Sequence, residues 1–302
     1  MGLSTFKKWL KETSPAVYRE NEPMKFHTSF KIGGPADVLV LPSTREEVER
    51  VVSKVRELEL PLTVMGNGSN LLVKDRGIRG VVIKIGNNLR QIRCTGTDLV
   101  AEAGASLSAV ANQAAVHGLQ GLEFAVGIPG SLGGAVFMNA GAYDGEMSKV
   151  VSEVTVLNAS GTYQCLNKKE LAFGYRHSSV QDSGSVILSV VLSLQPGNVE
   201  AIKTKMADFT NRRVSKQPLD IPNAGSMFRR PPGYFAGTLI EETGLKGYTV
   251  GGAQVSTKHA GFIVNVNNAT AEDVLHLIGD VQAKVFAFAG VHLEPEVRVI
   301  GE

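Results

Sequence analysis

The sequence predicts an α+β chain of more than one domain: two small strand–helix–strand units in succession, then a separate α+β lobe. Three observations carry this. The chain has 302 residues, beyond the roughly 250 at which a single hydrophobic core stops growing. Two glycine-rich loops recur in its first half among short apolar runs, Gly66-Asn67-Gly68-Ser69-Asn70-Leu71-Leu72 and Gly127-Ile128-Pro129-Gly130-Ser131-Leu132-Gly133-Gly134-Ala135. The pattern then changes at Pro196-Gly197-Asn198. The expected divisions are residues 1–85, 86–198 and 199–302.

In the first unit an apolar strand over 38–41 follows Gly33-Gly34-Pro35. Thr44 is placed to cap the next helix, with Glu47 completing a capping box. Val48, Val51, Val52, Val55 and Leu58 repeat at helical spacing as far as Pro61. Strands over 62–65 and 81–85 flank the first glycine loop. The second unit begins with a strand over 99–103. Ser106 then caps a helix whose face is Leu107, Val110, Ala111, Ala114 and Ala115, ended by Gly118. Strands over 154–157 and 186–194 follow the second glycine loop.

Beyond Asn198 the expectation is helices over 199–214 and 235–243 and a strand over 262–266. Thr270 with Asp273 then caps a helix carrying Val274, Leu277, Ile278, Val281 and Val285. The last element is a strand over 293–300, with Val297 and Val299 on one face and Glu294, Glu296 and Arg298 on the other.

Composition excludes several classes. A hydrophobic fraction of 43% and a charged fraction of 20% fit a soluble globule. The formal charge of +2 gives no case for a nucleic-acid partner. No apolar run approaches the ~18 residues of a membrane span. Lys7, Lys8 and Lys11 surround Phe6, Trp9 and Leu10 with no apolar segment behind them, so export is not expected. Cys94 and Cys165 match no metal or redox spacing and read as reduced thiols of a cytoplasmic protein. The six histidines form no ligand pair, so no metal is expected. One stretch is strongly basic: Lys203, Lys205, Arg212, Arg213, Lys216, Arg229 and Arg230 face only Asp208 and Asp220. It is either a solvated helix face or a collector of an anionic substrate.

Glycine clusters mark tight turns or places where backbone closely approaches a ligand, and successive backbone N–H groups there form anion-binding concavities. Two such loops predict one ligand with an extended diphosphate, held from both sides: a dinucleotide. Neither the G-x-G-x-x-G fingerprint nor a Walker loop is present.

Four polar residues stand out, each with two readings. Arg176 either covers the ring of Tyr175 or binds an anion. Ser226, in Ala224-Gly225-Ser226-Met227-Phe228, either bonds locally within a turn or does chemistry. Glu296 either faces solvent or serves a site. Asn139 either satisfies loop backbone or touches a ligand.

These residues and their order resemble the UDP-N-acetylenolpyruvoylglucosamine reductases. Thr28-Ser29-Phe30-Lys31-Ile32-Gly33-Gly34-Pro35-Ala36 resembles the family's opening motif, and the two glycine loops resemble its flavin-binding loops. Tyr175-Arg176-His177-Ser178, Gln217-Pro218, the Ser226 segment, His259-Ala260-Gly261-Phe262 and Leu293-Glu294-Pro295-Glu296-Val297 follow in family order. The likeness runs over residues 24–301. It implies a two-subdomain FAD-binding fold of the vanillyl-alcohol-oxidase (PCMH) type over 1–85 and 86–198, and a substrate lobe over 199–302. The lobe is compact between Arg230 and Gly261, which resembles the family's shorter second type.

The resemblance implies FAD on Gly66, Asn67, Gly68, Ser69, Asn70, Leu71, Gly127, Ile128, Pro129, Gly130, Ser131, Gly133, Gly134, Ala135 and Asn139. NADPH is the implied hydride donor, and Tyr175, Lys216 and Arg230 are implied contacts of a UDP-sugar. A monomer is expected. The implied reaction is hydride transfer from reduced flavin to C3 of an enolpyruvyl ether, followed by protonation of C2. Arg176 would lie near the substrate carboxylate, Ser226 would give the proton, and Glu296 would be the acidic partner, either protonated on the enolate or ionised beside Arg176. A flavin oxidase of the same fold is the competing enzyme. Such relatives often tether flavin through histidine, and no histidine lies in either glycine loop. A non-catalytic flavin- or nucleotide-sugar-binding module would lack the joint presence of Arg176, Ser226 and Glu296.

Overall fold

The computed structural model describes residues 2–14, 16–86 and 88–302. The chain forms two compact units. The first holds the chain up to Arg19 with Leu39–Asn67 and Val81–Arg213; the second holds Glu20–Val38, Gly68–Gly80 and Val214–Glu302. Among the described residues no helix is long and apolar enough to cross a membrane.

The first unit is built on a five-stranded antiparallel sheet in the order Tyr163–Asn167, Val151–Leu157, Val186–Ser193, Asp98–Glu102 and Ile92–Thr95. The central strand is an almost unbroken apolar run and is buried along most of its length, as a strand with neighbours on both edges and cover on its faces must be. Helix Leu107–Val116 starts where the Ser106 Oγ accepts from the Ala109 amide at 3.2 Å, and buries the predicted alanine-rich face. Strands Leu62–Met65 and Ile78–Lys84 pair in parallel, Leu62 opposite Val81 and Met65 opposite Lys84.

Helix Arg45–Glu57 buries Val48, Val51, Val52 and Val55. Its cap differs from the expectation. The Thr44 Oγ1 accepts from the Glu47 amide at 3.2 Å, but the Glu47 carboxylate accepts from the amide of Ser43, at 2.7 Å. The return arm of the box therefore lands one residue before the cap.

The second unit carries a four-stranded antiparallel sheet in the order Asn223–Ser226, Phe262–Asn265, Ala253–Val255 and Thr249–Val250. Helix Ala271–Ala289 lays Val274, Leu277, Ile278, Val281 and Val285 into the core beside Phe30, Met227 and Leu293. Its capping box is complete, Thr270 and Asp273 each satisfying the other's amide. The Asp75 carboxylate takes the next two free amides, Ala271 at 2.9 Å and Glu272 at 3.0 Å. Each helix leaves its first amides without intrahelical partners, so this arrangement stabilises the helix start.

The final strand is shorter than expected. Only Arg298–Ile300 is a strand, paired in parallel with Leu71–Val73. Upstream, Pro295 makes an isolated bridge to Phe228, and a residue without an N–H cannot extend a ladder. Val297 is buried at 5% exposure while Val299 is 38% exposed, so the two do not share a buried face.

Candidate active site

In the first unit the two glycine loops touch. A Cβ on Gly66 would overlap the Oγ of Ser131. That hydroxyl is buried and caps the short helix Leu132–Phe137 by accepting from the Gly134 amide at 3.3 Å. The second loop is fastened by backbone to the turn that follows strand Asp98–Glu102 and to the start of the next helix: Leu107 N–H donates to the Gly130 carbonyl at 3.0 Å, Leu132 N–H to Ala105 at 2.8 Å, and Gly133 N–H to Ala103 at 2.8 Å. A Cβ on Gly133 would stand 2.9 Å from the Cβ of Ala103. The Ile128 amide closes a turn onto the Ala125 carbonyl, Pro129 is exposed, and Ala135 is buried. Asn67 follows Gly66 at the end of this unit's part of the first loop.

Over this loop lies Arg213, which the sequence names only as one member of the basic stretch and does not assign to the cofactor site. The side chain of Arg213 packs on Gly127, whose Cβ would meet its Cδ at 2.9 Å. The Arg213 Nε is buried with no hydrogen-bond partner, and burial pulls the guanidinium below the usual arginine pKa. A buried cationic donor without a partner costs free energy unless an anion answers it. Arg213 next to a glycine-floored loop therefore fits an anionic group such as a diphosphate. A signal for it exists in the sequence: Arg213 falls on the same helical stripe as the buried Ile202 and Met206.

Arg176 sits in a tight turn of the same unit. Gly174 and His177 exchange N–H···O bonds of 3.1 and 3.2 Å, leaving Tyr175 and Arg176 at its tip. Arg176 adopts a left-handed φ of 54°, a conformation that costs about 1 kcal/mol or more for a residue with a Cβ. The turn is held from below: the Asn139 Nδ2 donates to the Gly174 carbonyl at 2.9 Å, and the Gln181 Nε2 to the Arg176 carbonyl at 3.0 Å. Asn139, itself left-handed with φ 42° and buried, also accepts from the Ser148 amide at 2.9 Å. Both ends of its amide thus serve backbone. The Arg176 guanidinium lies 5.1 Å from the ring centroid of Tyr175, which is 54% exposed.

The second unit places Ser226 and Glu296 on adjoining segments. The Glu296 amide donates to the carbonyl of Met227, the residue after Ser226, at 2.8 Å. Arg229 N–H donates to Glu294 at 2.8 Å. The first glycine loop joins them here: the Asn70 Nδ2 donates to the Glu296 carbonyl at 3.3 Å, and Arg298 N–H to the Asn70 carbonyl at 3.0 Å. Gly68 is buried with φ 66°, Ser69 is half-buried, and Leu71 opens the strand that pairs with Arg298. Ser226 is exposed, while Ala224 before it and Met227 after it are buried.

Lys216 is exposed at the end of helix Val199–Lys216. Arg230 is exposed, its guanidinium 4.0 Å from the ring centroid of Phe235 and its Nε donating to the Tyr234 carbonyl at 3.3 Å. Near Lys216 stands His259, whose ring burial lowers its pKa, with the charges of Lys246 and Lys216 acting in the same direction.

Comparison with known proteins gives a consistent set of relatives. Residues 36–167 match the family described as FAD binding domain, and residues 217–300 the family described as UDP-N-acetylenolpyruvoylglucosamine reductase, C-terminal domain. The chain is 54% identical over 282 residues to the UDP-N-acetylenolpyruvoylglucosamine reductase of Caldanaerobacter subterraneus subsp. tengcongensis, covering 93% of each chain. It is 51% identical over 291 residues to that of Lactiplantibacillus plantarum, covering 96% of each. Among solved structures, the UDP-N-acetylenolpyruvylglucosamine reductase of Thermus caldophilus is 38% identical with a TM-score of 0.81, covering 94% of this chain and 98% of that one.

Proposed function

The chain belongs to the UDP-N-acetylenolpyruvoylglucosamine reductase family, and from that membership we propose that it reduces the enolpyruvyl ether of UDP-N-acetylglucosamine enolpyruvate to UDP-N-acetylmuramate with electrons from NADPH. It is an FAD-dependent oxidoreductase with a PCMH-type flavin domain and the family's C-terminal domain. The observation that carries the proposal is local. The exposed hydroxyl of Ser226 and the segment of Glu296 adjoin through the Met227 carbonyl, and Asn70 of the first glycine loop is tied to that same segment.

The residues present fit the cofactor. Two glycine loops that meet where Gly66, lacking a Cβ, lies against Ser131, and a buried Arg213 Nε lacking a partner, suit a diphosphate. Gly66 through Leu71, Gly127 through Ala135 and Arg213 would hold it. When bound, FAD supplies the hydride that NADPH provides and that is delivered to C3 of the enolpyruvyl group.

The protein's own residues would manage the charge and the proton. As the new C3–H bond forms, the C2=C3 electron pair moves to C2 and the carboxylate. Arg176 would receive that carboxylate; a planar guanidinium makes two parallel bonds to it. The strained turn would have Arg176 in place beforehand, so little reorganisation accompanies the reaction. Ser226 would then pass its hydroxyl proton to C2 from one face. Glu296 would be the acidic partner of this centre. Lys216, Arg230 and Tyr175 would hold the nucleotide-sugar.

The test is direct. The purified protein should be yellow and release free FAD on acid precipitation. NADPH should bleach it anaerobically, and the enolpyruvyl substrate should restore the flavin absorbance. Reoxidation by oxygen alone, with no response to the enolpyruvyl compound, would place the chain among oxidases.

A further inference from the structure

The turn over residues 28–32 has no part in the chemistry above, yet it is bound at three points within the second unit. The Ser29 amide donates to the Gly68 carbonyl of the first glycine loop at 3.2 Å. The Ser29 Oγ donates to the Asn223 carbonyl at 2.7 Å. The Asn265 Nδ2 donates to the Phe30 carbonyl at 3.2 Å. Phe30 and Ile32 are buried in the core at 0% and 2% exposure, which keeps the turn from shifting.

Asn223 begins the strand that ends in Ser226, and that strand is irregular. Asn223 pairs with Val264 and Ser226 with Phe262, so three steps on one strand oppose two on the other. The extra residue is a β-bulge, which bends a strand and re-aims side chains. In a regular strand Ala224 and Ser226 would point to the same face. Here Ala224 and Met227 are buried at 2% and 0%, while Ser226 is exposed. The bulge is therefore what presents the hydroxyl instead of burying it. It depends on Gly225 at φ 80° and on the Asn223 side chain. The Asn223 Oδ1 accepts from the Gly225 amide at 2.9 Å, while its Nδ2 donates to Ile221 and Pro218 carbonyls at 2.8 and 2.9 Å.

We propose that Ser29 is a positioning residue for the reduction: it joins the first glycine loop at Gly68 to the base of the bulge at Asn223, and so fixes the direction in which Ser226 presents its proton. The inference rests on the assignment of Ser226 as proton donor. Ser29 touches neither substrate nor cofactor in this role; it acts through the Asn223 carbonyl.

The test uses the FAD-loaded full-length chain and stopped-flow measurement of both half-reactions. In Ser29→Ala, reduction of the flavin by NADPH should stay within about twofold of wild type. Reoxidation by the enolpyruvyl UDP-sugar should slow by about tenfold or more, because small misplacements of a reacting group carry large rate penalties. The substrate concentration giving half-maximal reoxidation should not move. Ser29→Thr keeps the donor and should restore most of the rate. If Ser29 acts through Ser226, Ser29→Ala combined with Ser226→Ala should be no slower than Ser226→Ala alone. Multiplicative losses in the double variant, equal slowing of both half-reactions with a lower melting temperature, or wild-type reoxidation in Ser29→Ala would each overturn the inference. A wild-type protein that the enolpyruvyl compound does not reoxidise would overturn the functional proposal, and this inference with it.

Discussion

Gly66 lies against Ser131 so closely that a Cβ on the glycine would overlap the serine hydroxyl. One glycine loop thus rests on the residue that caps the helix following the other. Gly66→Ala must push away the hydroxyl that holds the Gly134 amide. We expect FAD affinity to fall at least about tenfold, or ~1.4 kcal/mol, with the fold retained. Titration of the apoprotein with FAD measures it. Gly66→Ala combined with Ser131→Gly should regain part of the affinity, and unchanged binding in Gly66→Ala would mean the contact is not used by the cofactor.

Arg213→Met should separate cofactor binding from stability. The substitution keeps most of the volume and removes a buried donor without a partner, so the apoprotein should melt at the same or a higher temperature. The FAD dissociation constant should rise by about 10- to 100-fold, the loss of a charge-assisted bond of ~1.5–3 kcal/mol. Arg212→Met is the control. Arg212 is exposed and paired with Asp208 at 2.8 Å, a surface pair worth at most about 1 kcal/mol. A loss of FAD affinity in Arg212→Met equal to that in Arg213→Met would mark a general charge effect.

The two arginines also show what could be read from sequence. Helices with a capped start and a regular apolar face were legible: Ser106 with Leu107–Val116, and Thr270 and Asp273 with Ala271–Ala289, obey local rules within a few residues. Glycine loops were legible as close approaches for the same reason. Arg212 and Arg213 are indistinguishable as letters, and about 100° of helical rotation sends one to solvent and the other over Gly127. The parallel pairing of Leu71–Val73 with Arg298–Ile300 joins segments far apart in the chain, and no local pattern encodes such a partner. The bulge before Ser226 left only the small residues Ala224 and Gly225 as a trace, and these also fit an ordinary turn.

Asp273 gives a pH-dependent prediction. The amides of Thr270 and Gly252 donate to its carboxylate, and these bonds, Thr270's first, hold its pKa below the usual aspartate value. A lowered native pKa stabilises the fold fully above the unfolded value of about 3.9, and the contribution is lost as pH falls through the native value. Asp273→Asn should therefore lower the melting temperature at pH 7, with the gap from wild type closing as pH is taken below about 4. A gap of constant size down to pH 3 would assign the effect to lost geometry instead of charge.

Ser226→Ala should uncouple the two half-reactions. Ser226 is exposed on its bulge, so removing the hydroxyl should change stability by less than about 0.5 kcal/mol. Any large kinetic effect then belongs to chemistry. Flavin reduction by NADPH needs no proton from Ser226 and should proceed at the wild-type rate. In the proposed reaction, reoxidation requires a proton at C2 once hydride reaches C3, and loss of a positioned acid costs about 10²–10⁴-fold. Ser226→Cys keeps an acidic hydrogen at nearly the same place and should recover part of that loss, limited by the longer reach of sulfur. The left-handed Gly225 and the Asn223 side chain that sets the bulge remain in both variants, so the backbone should present either side chain in the same direction. Wild-type reoxidation in Ser226→Ala would transfer the proton to water or another group. Equal slowing of both half-reactions would make Ser226 a structural turn residue, because only a role confined to C2 protonation leaves the NADPH step untouched.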